Sequence, residues 1–448
     1  MTSRGKWSSN IGFILAAAGS AIGIGNIWRF PCMTGKYGGA VFLFIYLAAV
    51  ILLGMPVMIA EIAMGRFTGK NPVGAFKEMR PRGPWKLVGY MGVIAGVMIL
   101  SFYAMISGWT LGYFFKTLAG GLKNVETSTT PGIFNSFAAD FWLQILLLAA
   151  FIFITGFIVA RGVSGGIEKA CKILMPVLFI IMFILLVRSL TLPGAGKGLE
   201  FYLKPDFSKL TPRMIIDAMG QAFFSLSLGM GAMITYGSYM KKEENIPAGA
   251  GWVAFLDTIT AVMAGFIIFP ALSAYSMSAD SGHPLIFHIL PVIFARMPFG
   301  IVFGMLFFLL LCVAALASTV SLLEVAVSYC VDEVKWSRRK SVLVAGVVSF
   351  LFGIPSILSY GNVKFFRELP LVKVSFFEMM DFLWGSLALS IGALFICIFV
   401  GYVWKSAGAL KEINLGAKKF RYGWIWSISV KFLCPLLILL TLLILVIG

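Results

Sequence analysis

Eleven stretches of this chain carry too few charges and too many apolar side chains to coat a water-soluble fold. Runs free of Asp, Glu, Lys and Arg cover 7–28, 37–60, 87–115, 141–160, 218–240, 258–279, 297–323, 341–363 and 382–404. A shorter run, 173–187, extends into the amphipathic stretch before it, and 432–448 joins 422–430 across Lys431. A hydrocarbon core about 30 Å thick needs roughly 20 apolar residues per helix, so each stretch reads as one membrane span. In lipid every backbone amide must find its partner within the segment, which makes helices the only option for runs of this kind.

Composition agrees. Hydrophobic residues make up 60% of the 448 and charged residues 12%, against about 25% charged in soluble domains. Disorder and a disulfide framework are excluded on the same ground. The net charge of +17 raises the possibility of nucleic acid, but the cations lie between apolar runs rather than along one face, so they act as topology signals and no nucleic-acid partner is expected. Six scattered cysteines form no CxxC pair, and His283 and His288 are too few and wrongly spaced for a catalytic metal motif. No nucleophile with a base appears either. An enzyme is not expected.

With eleven spans and a cytoplasmic N-terminus, 22 of the 36 Lys and Arg fall in inside segments and 12 outside, with Arg29 and Lys431 inside spans. The positive-inside rule therefore favours N-in and C-out. The start of the chain imitates a signal peptide, with Arg4, Lys6, an apolar run Ile11–Ala18 and Ala16-x-Ala18. The residues after Ala18 argue for a retained first span, because they form a patterned segment and not the start of a mature domain.

That pattern is Gly19-Ser20-Ala21-Ile22-Gly23-Ile24-Gly25-Asn26, in the middle of span 1. Each glycine costs a helix about 1 kcal/mol relative to alanine. Span 6 holds a partner, Ser225-Leu226-Ser227-Leu228-Gly229-Met230-Gly231. Glycines two apart do not share a helix face, so close packing explains these segments less well than unwinding does; Gly92-x-x-x-Gly96 in span 3 reads as packing. Spans 1 and 6 open two consecutive five-span sets. Glycine-interrupted spans at matching positions of two halves point to an inverted-repeat transporter with its site at the bilayer midplane. Freed amides there suit a carboxylate, and freed carbonyls a cation.

At this point a resemblance enters. Ala21-Ile22-Gly23-Ile24-Gly25-Asn26-Ile27-Trp28-Arg29-Phe30-Pro31 and Gly220-Gln221-Ala222-Phe223-Phe224-Ser225-Leu226-Ser227-Leu228-Gly229 resemble the first- and sixth-helix signatures of the neurotransmitter:sodium symporter family. Trp109-Thr110-Leu111-Gly112, Gly265-Phe266-Ile267-Ile268-Phe269 and Met380-Asp381-Phe382 recur in register with its helices 3, 7 and 10. The likeness runs from Trp7 to about Trp404, and eleven spans resemble the bacterial members.

The resemblance implies an all-α integral membrane protein of the LeuT-type 5+5 inverted-repeat fold. Residues 1–10 would form a cytoplasmic segment with the inner gate, 11–190 the first repeat, 210–404 the second, and 422–448 the eleventh span. It also implies alternating access that moves amino acids with sodium. Substrate would lie among Ala21, Ile24, Gly25, Ile99, Tyr103, Phe224, Ser225, Ser227, Met230, Ser318 and Leu322. A first sodium site would comprise Ala21, Asn26, Ser225 and Asp257, completed by the substrate carboxylate. The family usually carries Asn where this chain has Asp257, and chloride-dependent members carry Ser where it has Ala261, so no chloride requirement is expected. A second site would use Gly19, Ile22, Ala314 and Ser318. Its usual hydroxyl position is Ala317 here, leaving open a weaker second sodium, a substitute oxygen from Thr319 or water, or a proton in its place.

Arg29 and Asp381, with Tyr103 and Phe224, match the outer gate. Arg4 and Asp332, with Trp7 and Tyr239, match the inner one. Gly166 and Pro176 mark a helix 5 that unwinds at its cytoplasmic end. The side-chain pocket holds no charge, and the Asp that amine transporters use is Gly23, so a neutral hydrophobic L-amino acid is expected: tyrosine, tryptophan, phenylalanine or leucine. Proton coupling through Asp257, and a sensor of the same fold that binds without transport, are the competing readings.

Overall fold

The computed structural model describes residues 5–123, 125–277, 285–361, 363–416 and 420–447. Among them, nine helices are long and apolar enough to cross a membrane. They are helix 2 (Ala40–Thr68), helix 3 (Lys86–Leu118), helix 4 (Phe141–Ala160), helix 5 (Val163–Leu190), helix 7 (Ile246–Ala274), helix 8 (Gly300–Asp332), helix 9 (Arg338–Leu358), helix 10 (Phe376–Val403) and helix 11 (Gly423–Leu445). Helix 1 is a pair, Asn10–Ala21 and Gly25–Lys36, bent by 52° at its break. Helix 6 is broken outright into Pro212–Ser225 and Ala232–Gly237.

Local chemistry starts several of these helices. Ser9, Thr211, Asn245 and Ser337 each accept a backbone amide from the first turn of helices 1, 6, 7 and 9, satisfying one of the orphan donors of a helix N-terminus. Proline occupies the first turn of helices 6 and 7, where its missing N–H costs nothing.

The inverted repeat shows in the lengths. Helices 2 and 7 both have 29 residues, 3 and 8 both have 33, 4 and 9 have 20 and 21, and 5 and 10 both have 28. The two broken helices fall at the remaining matching position. Helices 3 and 8 lie against each other through the centre. Gly96 sits 3.3 Å, measured from where its Cβ would be, from the Leu322 carbonyl of helix 8, and Gly92 sits 2.9 Å from the Met230 carbonyl of helix 6. Span 3's glycines thus serve close approach of helices.

Polarity is inverted relative to a soluble fold. Trp142, Phe153 and Leu343 are exposed on the outside of the bundle, while Glu61, Arg66, Asp257, Glu324 and Glu412 are buried. Two spans differ from the uncharged runs. Helix 7 begins at Ile246, so Asp257 lies inside it rather than at its end. Helix 2 continues past Glu61 to Thr68. A run bounded by its charges ends too early wherever a carboxylate is buried on purpose.

Candidate functional site

Two broken helices meet at the middle of the bundle, and several of the backbone groups they release find partners in the protein. In helix 1, the Gly23 amide donates to Asn26 Oδ1 at 3.0 Å and the Ile24 amide to the Tyr103 hydroxyl at 2.8 Å. The Ser20 carbonyl accepts from Ser227 Oγ at 2.8 Å, and the Gly25 carbonyl from Gln221 Nε2 at 3.1 Å. In helix 6, the Gly229 amide donates to Glu61 Oε1 at 2.7 Å. Ser227, Gly229 and Gly231 all take positive φ, at 53°, 84° and 76°, so two glycines stand where a side chain would strain the chain. Non-helical backbone at this depth is tolerated because its partners are in the protein.

Between the breaks lies a small pocket of about 30 Å³, bordered by Ala21, Gly25, Ile99, Tyr103, Phe224, Ser225, Ser227, Met230, Ser318 and Leu322. Ser20, Gly23, Asn26 and Leu389 border it as well. Ile24 differs from expectation. It borders a larger cavity above and contributes its amide to the site. The upper cavity, about 520 Å³, lies on the side of the membrane opposite the N-terminus, with Tyr103 and Phe224 common to both spaces.

Asn26, Ser225 and Asp257 come together from helices 1, 6 and 7. Asn26 Nδ2 donates to Asp257 Oδ1 at 2.7 Å, and Ser225 Oγ lies 2.9 and 3.0 Å from the two carboxylate oxygens. The Tyr46 hydroxyl donates to Asp257 Oδ2 at 3.2 Å. Asp257 is completely buried, and all of these partners are neutral. Among the described residues no Lys, Arg or His pairs with it. A buried carboxylate without a cationic side chain is costly, and an added hard cation resolves that cost. The carboxylate of Asp257 and the hydroxyls of Ser225 and Tyr46 are the oxygen donors that hard cations take, while Asn26 turns its Nδ2 to the carboxylate and would join them only with its amide turned over. The residues fit a hard cation as cargo.

Near the second expected ion site, Ser318 Oγ lies 3.1 Å from the Ile22 carbonyl and 3.5 Å from that of Gly19. Ala317 faces Gly19, with its methyl 3.3 Å from where a Gly19 Cβ would stand. Ala314 is buried one turn earlier on helix 8. Thr319 is no substitute. Its hydroxyl donates to Leu316 at 3.0 Å and meets Thr155 of helix 4 at 2.9 Å, on another face of helix 8.

The expected gates fall at either end. Arg29 and Asp381 both border the upper cavity, but no ion pair joins them among the described residues. The cavity stands between them, and the Arg29 guanidinium lies 4.8 Å over the Phe224 ring instead. At the opposite end Trp7 is a plug, 1% exposed, edge-on to Tyr236 and Tyr239. Its indole donates to the Tyr236 carbonyl at 3.0 Å and its amide to that of Tyr239 at 3.2 Å. Asp332 accepts the Asn71 amide at 3.1 Å. Arg4 lies outside the described residues. Helix 5 is wound here: Gly166 is in a π-helical turn, Val163–Glu168, that leads into the helix containing Pro176.

The residues not anticipated are Tyr46, Glu61, Glu168, Glu324 and Leu389. Glu168 accepts the Ser8 amide at 2.8 Å and pairs with Lys172 at 2.7 Å, tying the segment before helix 1 to helix 5. Glu324 accepts from Tyr239 at 2.6 Å and pairs with Arg338 at 2.5 Å. The one available signal was a charge inside or beside an apolar run, which in a membrane usually has a purpose.

A family model described as the sodium:neurotransmitter symporter family matches residues 4–131 and 132–448. The chain belongs to that family. It is 38% identical over 438 residues to a sodium-dependent transporter, YhdH, of Bacillus subtilis (strain 168), covering 97% of this chain and 96% of that one. A sodium-dependent transporter of Haemophilus influenzae is 36% identical over 451 residues, covering 97% of each. Among solved structures, MhsT in complex with L-phenylalanine superposes with a TM-score of 0.91 at 44% identity, covering 98% of this chain and 99% of that one. Membership of the symporter family, with this fold, makes the protein a multi-pass membrane transporter with two broken helices at its centre.

Proposed function

We propose that this protein is a sodium-coupled symporter of neutral hydrophobic or aromatic L-amino acids that works by alternating access. The observation that carries the proposal is the buried Asp257 carboxylate with only neutral partners, directly beside a pocket walled by Ile99, Phe224, Met230, Leu322 and Leu389. Sodium enters as cargo at Asn26, Ser225 and Asp257, with the Ala21 carbonyl. The amino-acid carboxylate meets the same ion and the Tyr103 hydroxyl, and the apolar wall takes the side chain. Each ligand then raises the affinity of the other by the same factor. MhsT, holding L-phenylalanine, supports this substrate class.

Asp257 carries the negative charge that chloride would otherwise bring, so transport runs without chloride. The Ser318, Ile22, Gly19 and Ala314 cluster takes a second, weaker sodium, because Ala317 offers a methyl where a hydroxyl would add an oxygen. Arg29 closes on Asp381 when the outside is sealed, and withdrawal of Trp7, together with Arg4 leaving Asp332, opens the inside; unwinding of helix 5 between Gly166 and Pro176 admits water. The chain lies in a bacterial plasma membrane with its N-terminus cytoplasmic and its C-terminus outside.

The test is uptake of radiolabelled tyrosine, phenylalanine and leucine into proteoliposomes under an inward sodium gradient, with potassium as control. Accumulation with sodium alone is expected. Accumulation under a proton gradient without sodium transfers the coupling role to protonation of Asp257, and binding without accumulation makes the protein a sensor.

A further inference from the structure

We infer that Leu389, on helix 10, determines which side chains the amino-acid site accepts, by acting as the partition between that site and a second cavity behind it. The inference rests on the amino-acid reading above and adds a residue from outside the helices that carry it.

Leu389 is 1% exposed and borders two separate spaces. One is the central pocket of about 30 Å³. The other, also about 30 Å³, lies between helices 1, 6, 10 and 11 and is bordered by Arg29, Asp217, Phe223, Ser386, Ser390 and Thr441, of which Arg29, Asp217 and Ser386 also border the upper cavity. No other residue of the central pocket borders this second space. Each holds only a water or two, so neither alone accommodates a large aromatic ring beside the apolar wall. Joined, they are one longer slot.

Glycine explains how a helix 10 side chain reaches a site built by helices 1, 3, 6 and 8. At the break in helix 6, Gly229 rests on helix 10 without an intervening side-chain layer: a Cβ at Gly229 would overlap the Leu389 carbonyl, and one at Gly392 would overlap the Gly229 carbonyl. The two backbones touch, and the leucine projects past the glycine into the pocket wall. The φ of +84° at Gly229 makes this position unavailable to other residues at ordinary cost. The helix 6 break is therefore buttressed against helix 10, and Leu389 is the movable part of the wall. A leucine can change rotamer where a backbone cannot, so turning it opens the second cavity to the tip of a long substrate. That cavity's polar edge, Arg29, Asp217, Ser386, Ser390 and Thr441, suits a phenol or indole N–H more than an alkyl end.

Sodium-dependent displacement of radiolabelled phenylalanine from the purified full-length protein by leucine, phenylalanine, tyrosine and tryptophan tests this. Leu389→Ala joins the two spaces and is expected to raise the tryptophan-to-leucine affinity ratio by about tenfold, the scale on which pockets discriminate a methylene or two. Leu389→Phe is expected to lower it. Leu389→Val, which removes a single methylene, gives the same direction as alanine with a smaller shift and keeps the test intact if the alanine variant does not fold. Ratios unchanged in all folded variants, with sodium-dependent binding preserved, overturn the role of Leu389. Wild-type protein that binds none of the four with sodium overturns the amino-acid reading itself, and this inference with it.

Discussion

Asn26 and Asp257 meet at 2.7 Å across the break in helix 1, amide nitrogen to carboxylate, with Ser225 and Tyr46 completing the ring. Every member is neutral except Asp257, and all four are buried. The centre of the protein is thus a buried carboxylate with hydrogen-bond donors around it and, among the described residues, no cationic side chain beside it. That arrangement favours a cation strongly and an anion not at all.

Replacing Asp257 by Asn or Ala is therefore expected to separate two properties. Sodium-dependent amino-acid binding should fall more than 100-fold, since losing one partner of a buried ionic contact costs about 3–5 kcal/mol. The thermal stability of the protein without sodium should stay level or rise, because an uncompensated buried charge has been removed. A sodium titration of binding, paired with melting curves in potassium, checks both. Sodium affinity that survives in Asp257→Ala would remove the carboxylate from the ion site.

The second ion cluster is expected to respond in the opposite sense. Ala317→Ser places a hydroxyl beside Gly19, next to the Ser318 hydroxyl and the Ile22 carbonyl. A gained contact to a charged group contributes about 1.5 kcal/mol, near tenfold in sodium affinity. The concentration of sodium that half-saturates binding should drop and its dependence should steepen. An unchanged titration curve would place the second ion, if one is carried, elsewhere.

Much of this centre is legible in the sequence. The breaks in helices 1 and 6 come from alternating glycines, because such a pattern neither winds nor packs well as a helix. Asn26 and Ser225 stand inside the segments that mark those breaks, whereas Tyr103, on helix 3, and Phe224 are legible only through the family resemblance. Asp257 stands out in the sequence, but its depth does not, because an uncharged run must stop at a carboxylate even when the helix does not. Tyr46 and Glu61 are hidden for a related reason. Both stand on helix 2, amid apolar neighbours, and only the fold shows that Glu61 accepts the amide freed at Gly229. Leu389 gives no signal at all, since one leucine in an apolar helix is indistinguishable from its lipid-facing neighbours until helix 6 is seen against it.

The end of the bundle that holds Trp7 carries a buried ion pair whose removal should be felt in stability. Arg66 Nε lies 2.9 Å from Glu412 Oε1, with both side chains essentially buried, and Lys242 reaches the same oxygen at 2.9 Å. Arg66 also donates to the carbonyls of Glu244 and Glu412. Arg66→Ala leaves Glu412 partly uncompensated and should destabilise by about 3 kcal/mol. The pair of substitutions Arg66→Met and Glu412→Met should recover most of that loss, because an apolar pair carries no desolvation cost. Differential scanning fluorimetry in detergent compares the three. A double variant as unstable as the single one would show that the backbone contacts of Arg66, and not its charge, hold this corner.

The outer pair poses a kinetic question that binding alone does not answer. Arg29 stacks on Phe224 while Asp381 faces it across the upper cavity. In the gating proposed above, closure takes the guanidinium off the ring and onto the carboxylate, so the contact with Asp381 would belong to the closed state only. An interaction made in one state shifts the equilibrium between states by its own free energy and leaves affinity in the other state unchanged. Asp381→Asn should then keep sodium-dependent amino-acid binding within about threefold while slowing transport by about tenfold or more, the expected loss for a charge-assisted contact of roughly 1.5 kcal/mol. Arg29→Lys retains the charge but loses the planar guanidinium that suits both ring and carboxylate, and should fall between wild type and Asp381→Asn. Uptake rates in proteoliposomes, set against equilibrium binding in detergent, make the comparison. Equal losses in binding and transport for Asp381→Asn would place the residue in the substrate site and not in the gate above it.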